Sequence, residues 1–444
     1  MTVWQFLSSA MKKHGRKMAF EDITYELLIA KVEKLAERYK DIRGPAIINY
    51  KDKKEQAIHI LAVLCSGNTV ISLSDEYGSK HIQAVEQAIR STDIPSDVAI
   101  CAFSSGTTDT PKGILLSHKA IISNIKAISK VFDIKNKKLL IVRPLCHMSA
   151  ITAELLCSLY CGATVLFYNG AFDPKAMVDC INEKKITTLC TTPTVMHHCL
   201  RRNIASSCIE QICLSGEILS PERALSFAEA MPNVEFYNGY GLSEHCPRVS
   251  MLTPHEFRLY PGSVGKPLDG VQVKQSENGE LLVSSDSVMM GYLGRPVLTQ
   301  ETLDGGWLHT GDIASMDGEY IYIKGRMDDM IIRAGVNIFP QDIRRTLLKM
   351  DGVQECIVQG VPDKNFTSAI SVTVYGAVDR QQVREFAVKN LPPYMVPSFI
   401  KVEKEVPIGN GGKLKPNVRL GHLYSKYKKE TFCSNAEDNI SRDK

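Results

Sequence analysis

From the N-terminus to about residue 240 this chain exchanges two hydrophobic periods in a regular way, and that exchange limits its possible folds more than any other feature. Short β-branched runs recur: AIIN at 46–49, TVISL at 69–73, VAICAF at 98–103, LLIVR at 139–143, ATVLFY at 163–168, TTLC at 187–190, QICL at 211–214 and VEFY at 234–237. Between most of them apolar residues return every three or four positions, as with Leu28, Val32, Leu35 and Tyr39. EQAIHILAVLCSG reads as a helix stopped by Gly67, and Ser117 is placed to cap a helix carrying Ile121, Ile125 and Ile128. Strands separated by helices predict a mostly parallel sheet covered on both faces, with ligands gathered at the carboxyl ends of the strands.

After about residue 250 the pattern changes to turns and alternating strands, in PGSVGKPLDGVQVK, GELLVSS and GEYIYIKGR, which predicts an antiparallel, barrel-like part. A third region opens near DDMIIRAGVNIFP. The helical QDIRRTLLKM, the strands VQECIVQGV and AISVTVYG, a helix at 380–390 and a closing strand then predict a small α+β unit. The fold class expected is therefore α/β, with a large N-terminal domain at 1–325, a small C-terminal domain at 326–420, and a charged, aperiodic tail at 421–444. A length of 444 residues also exceeds what one core usually serves.

A net charge of +4 spread over this length forms no block suited to nucleic acid, which points to a small-molecule partner. The thirteen cysteines include no CxxC pair and sit mostly in apolar surroundings, as reduced thiols of a cytoplasmic protein would. His197, His198 and Cys199 are adjacent, but neighbours on a helix point in different directions, which argues against a metal cluster there. The N-terminus MTVWQFLSSAMKKHGRK lacks an export signal, and no apolar run is long enough for a membrane span.

Behind VAICAF lies FSSGTTDTPKG, residues 103–113. Glycines that let the backbone approach, hydroxyls and N–H groups that donate, and a lysine that supplies charge suit a phosphate. The stretch is not a Walker loop, because Pro111 stands where the second glycine of GxxxxGK[ST] belongs.

It resembles instead the phosphate loop [ST]SGTTGxPKG of the adenylate-forming superfamily, which includes acyl- and aryl-CoA synthetases, peptide-synthetase adenylation domains and luciferases. The match departs at Asp109. The resemblance continues in order along the chain: NGYGLSE at 238–244 with YGxTE, WLHTGD at 307–312 with TGD, GRMDDMIIRAGVNIFPQDI with GRxDDxIxxxGxxIxPxEIE, and PIGNGGK at 407–413 with PxxxxGK.

The resemblance implies ATP-dependent activation of a carboxylic acid to an acyl adenylate, with release of pyrophosphate, then transfer of the acyl group to the thiol of CoA. A carrier-protein phosphopantetheine is the alternative acceptor, and a non-catalytic nucleotide-binding homologue a further one. It also implies the site. Ser104, Ser105, Gly106, Thr107, Thr108 and Lys112 would embrace the β- and γ-phosphates, Ser243 would touch the α-phosphate, and Glu244 would help hold Mg²⁺. Tyr240 would lie on the adenine beside Gly241, Gly216 and Glu217 would pass its edge, and Asp312 with Arg326 would bind the ribose.

Lys413 would bridge the attacking carboxylate and the phosphate, offsetting charge where it concentrates in the transition state. Carried on the small mobile domain, it would reach ATP only on closure. Asp328 would be the hinge of a later rotation, and Ala334 and Gly335 would then line the thiol channel. His147 and Gly239 would border the acid pocket. Amino-acid-activating members carry an Asp just after the segment matching LCHMSA. Met148, Ser149 and Ala150 leave this chain without it, so an uncharged acyl or aryl acid is favoured over a free α-amino acid.

Overall fold

The β-branched runs do become a parallel sheet. In the computed structural model, which describes residues 1–42, 44–103, 111–170, 172–333, 336–362 and 368–407, the strands Glu235–Gly241, Gln211–Ser215, Thr188–Thr191, Lys138–Ile141 and Thr164–Phe167 lie side by side in that order, all parallel. Antiparallel strands Arg248–Leu252 and Lys266–Pro267 extend one edge of the sheet, and Met18–Phe20 and Ile23–Thr24 extend the other. Every residue of Gln211–Ser215 and Thr188–Thr191 is buried, as a sheet covered on both faces requires.

A second sheet runs in the order Gly291–Tyr292, Gly113–Ser117, Val98–Phe103, Val70–Ser72, Ala46–Ile48. Here the structure adds a strand that the sequence pattern did not reveal. The chain leaves Val98–Phe103 and returns antiparallel as Gly113–Ser117, with Phe103 opposite Gly113 and Val98 opposite Ser117. Its apolar stretch Ile114–Leu116 is too short to separate from the helix that follows. Ser117 then caps the helix His118–Val131 by accepting from Ala120 N at 3.1 Å. Gly67 closes the helix Lys53–Ser66 at φ 87°, a left-handed conformation that favours glycine.

The region after residue 250 is antiparallel as expected. Gln272–Gln275, Glu280–Ser284, Trp307–Asp317 and Leu303–Asp304 form one sheet in that order, with Tyr320–Arg326 pairing on Trp307–Asp317. From Trp307 to Ser315 buried and half-buried residues alternate, the period of a strand with one face on a core. This pairing sets Asp312 opposite Arg326.

The C-terminal unit has the hairpin Ile331–Arg333 with Val336–Ile338 and the helix Pro340–Leu347. A three-stranded sheet, Val353–Pro362, Ser368–Gly376 and Phe399–Glu403, and the helix Arg380–Asn390 complete it. Ile343, Leu347, Val372, Val374 and Val383 pack into a core of its own. The architecture is thus the expected α/β class, a large N-terminal part with mostly parallel and antiparallel sheets followed by a small α+β part.

Candidate active site

The carboxyl end of strand Glu235–Gly241 is where the two kinds of sheet meet. Tyr240 Oη donates to Asp312 Oδ2 at 2.6 Å. Asp312 follows Gly311, whose φ of 68° turns the strand so that Asp312 N bonds Thr310 Oγ1 at 3.1 Å. Arg326 Nη1 donates to Thr310 O at 3.1 Å and stands 3.4 Å from Asp312 Oδ1. Burial pushes the Asp312 carboxyl above the usual carboxylate range, against the pull of the Tyr240 hydroxyl and Arg326. Burial, then the neighbouring Asp312, drive the Tyr240 phenol well up. In this pair the phenol donates and the Asp312 carboxyl oxygen accepts.

The next strand ends beside it. After Gln211–Ser215 the chain turns at Gly216, φ 88°, and Glu217 Oε2 accepts from Thr194 N at 3.0 Å. Burial raises the Glu217 carboxyl. These residues line a cavity of about 590 Å³, whose walls include Gly216, Glu217, Tyr240, Asp312 and Arg326, with Arg344 contributed by the C-terminal unit. The volume suits a ligand the size of a nucleotide.

Gly241 is held where only glycine fits, because a Cβ there would lie 2.0 Å from Pro247 O. That close approach lets Leu242 N bond Pro247 O at 2.9 Å and sets the turn that carries Ser243 and Glu244. Glu244 Oε1 accepts from Tyr292 Oη at 2.9 Å. Lys112 Nζ lies 5.8 Å from the centroid of the same tyrosine ring. Lys112 and Glu244 therefore converge on Tyr292 from different sheets. A half-buried carboxylate with one hydrogen-bond donor has capacity left for a hard cation shared with phosphate oxygens.

His147 is half-buried, and its carbonyl accepts from Ala150 N and Ile151 N at the mouth of a π-helical segment, Ser149–Leu156. Gly239 pairs with Ser215 in the parallel ladder. Below these two lies a polar cluster that the sequence reading missed. Arg143 donates to Ser149 Oγ and to Ser215 Oγ, both at 2.9 Å, and its Nη1 is 3.8 Å from Glu154 Oε1. Arg248 is buried against Gly239. The available signal was a charge inside an apolar run, as in ITAELLC and LLIVR.

Ser104, Ser105, Gly106, Thr107, Thr108, Asp109, Ala334, Gly335 and Lys413 lie outside the described residues. Asp328 is exposed, two positions beyond the strand that ends at Arg326. The C-terminal unit meets the larger part through Glu355, whose carboxylate bonds Arg344 at 2.7 Å and stands 3.7 Å from Arg223. No helix among the described residues is long and apolar enough to cross a membrane.

Comparison with known proteins agrees with this geometry. Residues 3–293 match the AMP-binding enzyme family, and residues 345–413 match the AMP-binding enzyme C-terminal domain. The chain is 31% identical over 344 residues to a feruloyl-CoA synthase from Amycolatopsis sp., a match covering 73% of this chain and 70% of that protein. It is 32% identical to a long-chain-fatty-acid–CoA ligase of Bacillus subtilis, covering 72% of this chain and 60% of that one. Among solved structures, ATP-bound MatB from Rhodopseudomonas palustris superposes with a TM-score of 0.83 at 20% identity, covering 96% of this chain and 99% of that one. The o-succinylbenzoate CoA synthetase of Bacillus subtilis bound to its acyl adenylate gives 0.81 at 22% identity, covering 93% and 97%. With most of its length matched by the family pattern and 31% identity to a CoA synthase over 344 aligned residues, the chain belongs to the AMP-binding enzyme family.

Proposed function

We propose that this protein is an AMP-forming acid–thiol ligase, which activates a carboxylic acid with ATP to an acyl adenylate and then passes the acyl group to CoA. The observation that carries this reading is Tyr240 bonded to Asp312 at the head of a nucleotide-sized cavity, with Arg326 alongside. In this reading Tyr240 lies on the adenine, with Gly216, Glu217 and Gly241 at its edge. The ionised Asp312 accepts the ribose hydroxyls, a pairing that a carboxylate makes with two oxygens at once. Ser104 to Thr108 and Lys112 hold the β- and γ-phosphates, and Ser243 the α-phosphate. Glu244 holds Mg²⁺, which when bound neutralises charge on the phosphates. His147 and Gly239 border the acid.

Attack of a carboxylate on a phosphate brings anions together, so the rate depends on cations fixed in advance around them. Lys413 supplies that charge from the C-terminal unit, taken as residues 326–420 against an N-terminal unit of 1–325, with 421–444 as a tail. Asp328 is the hinge, and Ala334 and Gly335 face the incoming thiol. The protein works in the cytoplasm. The test is carboxylate-dependent exchange of labelled pyrophosphate into ATP across a panel of acids, followed by addition of CoA or of a phosphopantetheinylated carrier protein. AMP and an acyl-CoA are the products expected. Exchange with an acid but transfer only to the carrier would replace CoA as acceptor, and no exchange with any acid would overturn the reading.

A further inference from the structure

Arg143, two residues past the strand Lys138–Ile141, and Arg248, at the start of the strand Arg248–Leu252, pack against the paired positions Ser215 and Gly239 respectively. Arg248 is only 3% exposed, and a Cβ on Gly239 would lie 2.9 Å from its Nη1. Its guanidinium therefore lies over bare backbone, at a residue that also lines the 590 Å³ cavity. One carboxylate accompanies the two cations. Glu154 is fully buried, 3.8 Å from Arg143, and among the described residues neither of its oxygens accepts a hydrogen bond, nor does Nε of Arg143 or of Arg248 find an acceptor.

The local balance is positive. Burial pushes the Glu154 carboxyl up to about 7, so at neutral pH it offsets less than one full charge. The Cys213 thiol on the adjoining strand is drawn down by its hydrogen bond with Cys190 and by both guanidinium groups, although burial opposes this. Buried cations that their neighbours do not fully offset cost free energy, and a chain that packs two guanidinium groups around Ser215 and Gly239, the latter on the cavity wall, is organised for a further negative partner.

We infer that Arg248, backed by Arg143, receives a second carboxylate of the acid substrate, so that the substrate class is a dicarboxylic acid and Arg248 is its specificity-determining residue. The inference rests on the acid-activating reading above. It replaces the uncharged acid favoured by sequence with a doubly charged one, while the same field repels the ammonium of a free amino acid. A planar guanidinium matches a carboxylate with two parallel hydrogen bonds, a selectivity that an apolar pocket cannot provide.

The experiment pairs each diacid with the monoacid of equal carbon number: succinate with butyrate, glutarate with pentanoate, adipate with hexanoate, and isophthalate with 3-methylbenzoate. Binding to the purified protein is measured by calorimetry, and turnover by pyrophosphate exchange. At least one diacid should bind about 10²-fold more tightly than its partner, as expected for a buried charge-assisted pair. Arg248→Met should cut that preference below about tenfold, and Arg248→Lys should restore part of it. Monoacids binding as well as diacids in every pair, or a preference unchanged in Arg248→Met, would overturn the inference. Diacid-selective binding without exchange would sustain the site and refute the ligase reading. Exchange with monoacids alone would do the reverse.

Discussion

Tyr240 and Asp312 stand 72 positions apart in sequence and are joined by a 2.6 Å hydrogen bond that links the mostly parallel sheet to the antiparallel one. Because burial holds the Asp312 carboxyl above its ordinary value, the folded protein binds its proton more tightly than the unfolded chain does. Stability contributed by that proton is present at low pH and lost as pH rises through the folded value, above which an ionised Asp312 is a cost to the fold. Asp312→Asn keeps an acceptor for Tyr240 and removes the charge. It should raise the melting temperature of the ligand-free protein at pH 7 while weakening ATP binding by roughly 10- to 100-fold, the range for a lost hydrogen bond to a charged group. Calorimetric unfolding and ATP titration of the same preparation test both halves.

Glu154 carries the same linkage in a form that can be isolated. With a folded value near 7 against 4.5 unfolded, its contribution is largest below about pH 4.5 and disappears as pH passes 7, a loss on the order of 3 kcal/mol. Glu154→Gln, nearly isosteric with the protonated acid, should match the native protein in urea unfolding at pH 5 and exceed it at pH 8. A constant difference between the two across that range would mean that Glu154 stays ionised against Arg143.

What the sequence made legible, and what it hid, divides along physical lines. VAICAF and QICL were readable because a strand buried on both faces needs an unbroken apolar run, and both are fully buried strands. Tyr240 and Asp312 were readable because each lies in a short stretch, NGYGLSE and WLHTGD, that matches a motif of the resembled family. Ile114–Leu116 was hidden because three apolar residues fit a strand and a helix start equally well. The Arg143, Glu154 and Arg248 cluster was hidden for a different reason. Its members are brought together by the segment that follows a parallel strand, a π-helical segment and the antiparallel strand Arg248–Leu252, and nothing local in RPLCH or HCPRVS encodes that meeting.

Glu355 predicts how firmly the C-terminal unit is docked. It is 1% exposed and bonds Arg344 within that unit through two nitrogens, at 2.7 and 2.8 Å, while Arg223 from the helix Pro221–Ala230 stands 3.7 Å away. Removing the carboxylate leaves two buried cations facing each other, so Glu355→Gln should cost about 3 to 5 kcal/mol. Arg223→Met keeps the pair inside the unit and removes only the reach across. It should speed proteolytic cleavage between residues 326 and 345 with little change in the melting of the larger part. The neighbouring Lys349 to Glu222 pair at 3.1 Å is half exposed on both sides, so Glu222→Gln should alter neither measurement by more than about 0.5 kcal/mol.

Lys413 separates the two half-reactions. The C-terminal family match ends on it, and the docked unit already supplies Arg344 to the nucleotide-sized cavity. If its ammonium offsets the charge that builds between the attacking carboxylate and the α-phosphate, Lys413→Ala should slow pyrophosphate exchange by about 10²- to 10³-fold. No such charge builds when a thiol attacks a preformed acyl adenylate, since the leaving group is then AMP and the phosphorus is not the reacting centre. Thioester formation from supplied acyl adenylate should therefore survive in Lys413→Ala. If Asp328 is the hinge, Asp328→Pro, by stiffening it, should invert the pattern, sparing exchange and impairing thioester formation. An equal loss of both steps in each variant would instead require one fixed arrangement of the two units for the whole reaction.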